Sequence, residues 1–123
     1  MDIDSLVSTS ATQDRQTFDW GEITWLDSAE LTAGDSLTVG EVTVYPSEQN
    51  AEHRHPNCNE SLYLRSGELE HSIGDEVTTL TQGDLIHIPE GERHRATNTG
   101  TDDAVAVIVY DTGTRAVEFV DAE

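Results

Sequence analysis

From Phe18 onward the apolar residues come in short bursts separated by turn formers, and no apolar stripe of helical spacing runs longer than two turns. That pattern predicts β-strands at Ile23 to Leu26, Leu37 to Tyr45, Glu60 to Arg65, Glu68 to Ile73, Val77 to Leu80, Asp84 to Ile88, His94 to Asn98, Ala104 to Tyr110 and Ala116 to Val120. Between them stand Ser66-Gly67, Gly74-Asp75, Gln82-Gly83, Glu90-Gly91, Gly100 to Asp103 and Thr112-Gly113, all residues that turn a chain. Many short strands at near-regular spacing call for a sandwich or a closed barrel, because a lone sheet would leave apolar faces and edges uncovered. An all-β jelly roll fits best. Residues 1–17 are polar and without periodicity and read as a loose N-terminal arm, leaving 18–123 for the barrel. With 123 residues in all, one domain and one site are expected.

Charge changes the picture. Asp and Glu number 25 against six Arg and no Lys, for a formal net charge of −19. Repulsion on that scale opposes a compact state in dilute salt; near molar salt, where the screening length falls to about 3 Å, the same carboxylates keep the surface hydrated. The acids are spread among apolar residues rather than gathered in a tail, which points to a high-salt cytoplasm. Nucleic acid and anionic membranes are excluded as partners, since both need clustered Lys or Arg. Cys58 is the single cysteine, so no intrachain disulfide can form, and the first residues, MDIDSLV, carry neither a basic region nor a long apolar run.

Candidate chemistry is concentrated between His53 and Asn98, a stretch that holds all five His, the one Cys and four of the six Arg. Alternation along a strand puts His53 and His55 on one face and Arg54 on the other. Glu60 shares its phase with Leu62 and Leu64 and so points inward, where a carboxylate needs protonation, a paired cation or a metal. His94 follows the turn Pro89-Glu90-Gly91 and can be brought beside the pair by barrel closure. Three neutral imidazoles and one carboxylate form a donor set suited to Mn, Fe, Co, Ni, Cu or Zn rather than Ca or Mg.

These residues resemble the cupin family. Its first motif, G-x5-H-x-H-x3,4-E-x6-G, is matched by His53, His55, Glu60 and Gly67, with Ser47 in place of the leading glycine. Its second, G-x5-P-x-G-x2-H-x3-N, is matched at every position by Gly83, Pro89, Gly91, His94 and Asn98. Fifteen residues separate Gly67 from Gly83, close to the shortest gap common in microbial cupins. The resemblance implies a jelly-roll cupin barrel and one divalent transition metal on His53, His55, Glu60 and His94.

The remaining candidates are weaker. Cys58 reads as a free loop thiol beside the ligands. His71 and His87 could line a pocket or face solvent, and with Tyr63 they are the only candidates for a general base. Arg54, Arg65, Arg93 and Arg95 should project away from the ligands as partners for the acidic surface. Phe18, Trp20 and Trp25 suggest a homodimer interface or ordinary core packing.

Four protein ligands on a six-coordinate metal would leave two positions open, which is the arrangement catalysis needs. The expected function is therefore a metal-dependent enzyme acting on a small oxygen-rich molecule, a sugar or organic acid, by isomerase, epimerase or decarboxylase chemistry. An Fe-dependent dioxygenase and a non-catalytic small-molecule-binding module are the alternatives.

Overall fold

The computed structural model describes residues 2–120. Eleven strands follow in chain order: β1 (Asp14–Phe18), β2 (Gly21–Asp27), β3 (Thr38–Val44), β4 (His53–Arg54), β5 (Glu60–Ser66), β6 (Glu68–Ile73), β7 (Glu76–Thr81), β8 (Leu85–Ile88), β9 (His94–Thr97), β10 (Ala104–Tyr110) and β11 (Glu118–Phe119). They form two antiparallel sheets, one ordered β1-β2-β3-β10-β5-β8 and the other β11-β4-β9-β6-β7. The fold is an all-β jelly roll, as the apolar pattern predicts.

The core lies between the sheets because the strands alternate. In β3 and β10 every second residue is buried, and the inward set of Val42, Val44, Ala104, Ala106 and Ile108 meets Leu62 and Leu64 of β5. Leu69, Leu80 and Ala96 close the core from the other sheet. Glycine makes room at one point: a Cβ on Gly40 would lie 2.8 Å from the Trp25 ring, so the absence of a side chain there lets the indole pack close against β3.

Two differences from the sequence reading concern the N-terminal part. The segment expected to be a loose arm contains a short 3-10 turn, Ile3–Leu6, and then strand β1, which pairs with β2 from Asp14↔Trp25 to Phe18↔Gly21. All five β1 side chains are exposed. An edge strand held by backbone pairing, with no buried face, leaves no apolar alternation to be read. Trp25, placed among interface candidates or core, is core: it is 7% exposed and tilted against Tyr110.

Ser47 stands where the first motif has glycine, and it is the one non-glycine residue with positive φ among those described, at 67°. That is the left-handed region, which explains why glycine suits the position. The Ser47 N–H donates to the Asn98 carbonyl, and the buried Asn98 amide donates to the carbonyls of Val44 and Asp102, so the two motifs are tied at this corner.

Candidate metal centre

Barrel closure brings the four candidate ligands to one place. His53 on β4 sits directly opposite His94 on β9, His55 follows just beyond β4, and Glu60 opens β5. One ring nitrogen from each of His53, His55 and His94 lies within 4.8 Å of the other two. Glu60 Oε1 is 3.4 Å from His55 Nε2 and 3.2 Å from His94 Nε2. His55, Glu60 and His94 are buried, and His53 is half-buried.

Each imidazole is oriented through its other nitrogen. The Nδ1 atoms of His53, His55 and His94 face the carbonyls of Ala51, Ala116 and Glu92 at 2.8, 2.8 and 2.9 Å. A carbonyl can only accept, so in the neutral rings Nδ1 holds the proton and Nε2 presents a lone pair. His55 Nε2, His94 Nε2 and Glu60 Oε1 are buried and find no hydrogen-bond partner. Acceptors buried face to face at such distances are costly unless a cation lies among them. The donor set, three imidazole nitrogens and a carboxylate oxygen, has the chemistry of a transition-metal site.

The electrostatics agree. Burial alone would raise the Glu60 carboxyl, but the neighbouring His55 and His94 hold it at about 2. Burial would lower His94, yet Glu60 raises it above its ordinary value. His53 is pushed down to about 4, chiefly by burial and then by the nearby His94. Both shifts belong to the metal-free site, where a proton on a histidine Nε2 faces the Glu60 carboxylate in the place a metal ion would take.

The ligands face a cavity of about 320 Å³ whose walls are largely apolar, including Ile23, Val42, Leu62, Leu69, Ile108 and Phe119. His71, weighed evenly between pocket and solvent, is buried and lines this cavity, stacked on His94 with ring centroids 5.9 Å apart. Burial and then His94 lower it to about 4. His87 is exposed on β8 and outside the cavity lining, and Tyr63 is 42% exposed on the outer face of β5. Neither reaches the site.

Three other side chains near the ligands have surroundings that the sequence pattern does not indicate. Cys58, expected as a loop thiol, is 2% exposed and packed in the core, where burial, then Asp111, pushes the thiol up to about 11. Tyr110 lies opposite Glu60 across β5 and β10 and edge-on to His55, with ring centroids 4.9 Å apart. Burial, then Glu60, drives its hydroxyl well above the ordinary value, so it stays protonated. Arg115 also borders the cavity. Of the arginines assigned to the acidic surface, Arg54, Arg65 and Arg93 pair with Glu118, Glu41 and Glu52. Arg95 instead donates to the Asn50 carbonyl.

The chain matches the family model described as "Cupin domain" over residues 40–110. It is 32% identical over 93 residues to Protein SchB of Streptomyces halstedii, covering 76% of this chain and 66% of that one. It is 30% identical over 84 residues to Polyketide synthase CurC of Streptomyces cyaneus, covering 68% and 54% respectively. The chain thus spans about half to two thirds of these relatives. Among solved structures it superposes on an oxalate decarboxylase of Bacillus subtilis with a TM-score of 0.81 at 21% identity, covering 88% of this chain and 30% of that one. Mn(II) centres are described for that enzyme.

Proposed function

The chain belongs to the cupin-domain family, and on that premise we propose a metal-dependent enzyme in which His53, His55, Glu60 and His94 hold one divalent transition metal beside the cavity that binds a small oxygen-bearing molecule. The observation that carries this reading is the trio of buried, partnerless acceptors, His55 Nε2, His94 Nε2 and Glu60 Oε1, gathered within 3.4 Å contacts. A bound metal would supply Lewis acidity toward a carbonyl or an enediolate. The chain's own residues do the rest. Apolar walls keep bulk water from the reacting group, and Tyr110, held protonated, offers a hydroxyl donor beside Glu60.

The apolar lining favours an organic acid with a hydrocarbon or aromatic body over a sugar, whose many hydroxyls would go unpaired there. A carbonyl-rich acid also suits two of the proteins this chain resembles, a polyketide synthase and an oxalate decarboxylase. Isomerisation or decarboxylation of such an acid is the reaction class. The metal is one of Mn, Fe, Ni, Zn, Co or Cu, and Mn is the first to try, given the Mn(II) centres of the structural neighbour. Phe18 stacked on Trp20 at 4.9 Å, beside the exposed edge strand β1, supports a homodimer through that edge. Light scattering on wild type and Phe18→Glu tests it, a monomeric wild type counting against.

The function is tested by loading the protein with Mn, Fe, Ni or Zn and supplying keto acids, hydroxy acids and sugars with and without air, while following oxygen uptake and products by mass spectrometry. Turnover of an acid without oxygen is expected. Oxygen consumption by the Fe form alone would mark a dioxygenase instead, and tight binding without turnover under any metal would mark a binding module.

A further inference from the structure

Arg115 lies in the irregular stretch between β10 and β11, beyond the residues matched by the family model. Its guanidinium carbon stands 4.1 Å over the Trp25 ring and 5.5 Å from the centre of Tyr110, two side chains that line the same cavity as the ligand cluster. Its charge is felt inside, since it opposes the upward push on the Tyr110 hydroxyl.

The backbone on both sides of Arg115 is fixed to the ligand loop. Asn57 donates from its amide nitrogen to the Thr114 carbonyl and accepts from the Ala116 N–H, both at 2.9 Å. The Ala116 carbonyl in turn accepts from His55 Nδ1 at 2.8 Å. The arginine is therefore held in register with a candidate ligand, and it does not swing on a free loop.

Two arginines have no acid partner among the described residues, Arg95, which donates to the Asn50 carbonyl instead, and Arg115. With 25 acids against six arginines, Arg15, Arg54, Arg65 and Arg93 each pair with a carboxylate, whereas Arg115 forms no ion pair among the described residues. Asp14 and Glu30 border a second, more open hollow that Arg115 also touches, and neither pairs with it. A guanidinium spread on an aromatic face keeps its edge donors free for a planar anion.

We propose that Arg115 is the specificity-determining residue of the cavity, binding the carboxylate of a substrate whose apolar or aromatic body fills the space toward Leu69 and Ile108. The assignment rests on the cavity being the substrate site, and it names the substrate class as a monocarboxylate with an apolar body. Arg115 holds the substrate's charge; it is not a metal ligand.

Benzoate and benzamide serve as probes, being nearly the same shape and differing in charge. Calorimetric titration in near-molar KCl, on metal-free protein and on zinc-loaded protein, compares wild type, Arg115→Gln and Arg115→Lys. Wild type should prefer benzoate. Arg115→Gln should lose about tenfold or more in benzoate affinity, the ordinary value of a charge-assisted pair, with benzamide binding unchanged, and Arg115→Lys should recover part of it. Unchanged benzamide binding also shows that the variant is folded. Equal benzoate affinity in wild type and Arg115→Gln, equal affinity of wild type for the two probes, or no benzoate binding at all would each overturn the assignment. Failure of the metal reading shows separately, as wild type that takes up no zinc, and leaves the comparison in the metal-free protein decisive for Arg115.

Discussion

Glu60 Oε1 stands 3.2 Å from His94 Nε2, and neither atom finds a hydrogen-bond partner. The Nδ1 proton of His94 is committed to the Glu92 carbonyl, so two acceptors face each other inside the barrel. A proton on Nε2 relieves that arrangement in the metal-free protein, and a metal ion among the same atoms relieves it without one; the first prediction follows from the second case. Protein from its own host should carry about one transition metal per chain. His53→Ala, His94→Ala and Glu60→Gln should each cut metal content and remove the stabilisation that metal gives wild type, about 2.7 kcal/mol when free metal is 100 times Kd. Elemental analysis with thermal melts checks this, and equal metal content in all four proteins would end the metal reading.

Much of this arrangement is legible in the chain because it is written in two simple periods. Alternation places Glu60 with Leu62 and Leu64, and motif spacing names His94 as the partner of a pair forty residues earlier. What is not legible lacks a period. Strand β4 is two residues long, β1 buries nothing, and Arg115 sits in an irregular segment whose position is set by Asn57 and His55 from another part of the chain. Cys58 looks like a loop residue because its neighbours Asn57 and Asn59 are polar. Those neighbours are spent on hydrogen bonds to Thr114 and Asp111, which pull the loop down and bury the thiol.

Metal-free protein should lose stability as pH falls from about 6.5 toward 4. His53 and His71 have folded values of about 4 against 6.5, so across that window the unfolded chain takes up protons that the fold refuses. His94 is raised and runs the other way, its contribution present below 6.5 and lost as pH rises through its folded value. Glu60, held at about 2 against 4.5, adds stability that is present above 4.5 and disappears as pH falls toward 2. Urea midpoints at several pH values measure the sum, and His71→Leu should flatten the upper part of the curve. An unaltered slope in that variant would count against the assignment.

Ser47→Gly should stabilise the protein by up to about 1 kcal/mol. A φ of 67° is strained for serine and free for glycine, and this gain is partly offset by the greater entropy glycine has in the unfolded chain. Ser47→Val at the same position should destabilise, because a β-branched side chain tolerates that region worst. Chemical denaturation of the two variants decides the matter, and the order Val above Gly would be the contrary result.

Folding should depend on salt. A formal charge of −19 sits on a small barrel, and most of its carboxylates lie on outward-facing positions such as Glu41, Glu68, Glu70 and Glu76, where they repel one another. The arginines that could offset them are few, and the exposed pairs Arg54–Glu118 and Arg65–Glu41, at 3.8 and 3.6 Å, are each worth well under about 1 kcal/mol. Screening must therefore come from the solvent. Raising KCl toward molar shortens the screening length to about 3 Å, less than the spacing of neighbouring surface charges, and removes most of the repulsion. Circular dichroism across a KCl series should show β structure appearing and the melting point climbing with salt, most steeply below molar, where screening changes fastest. A native spectrum with the same melting point in dilute buffer and in near-molar KCl would show instead that burial between the two sheets overcomes the repulsion unaided.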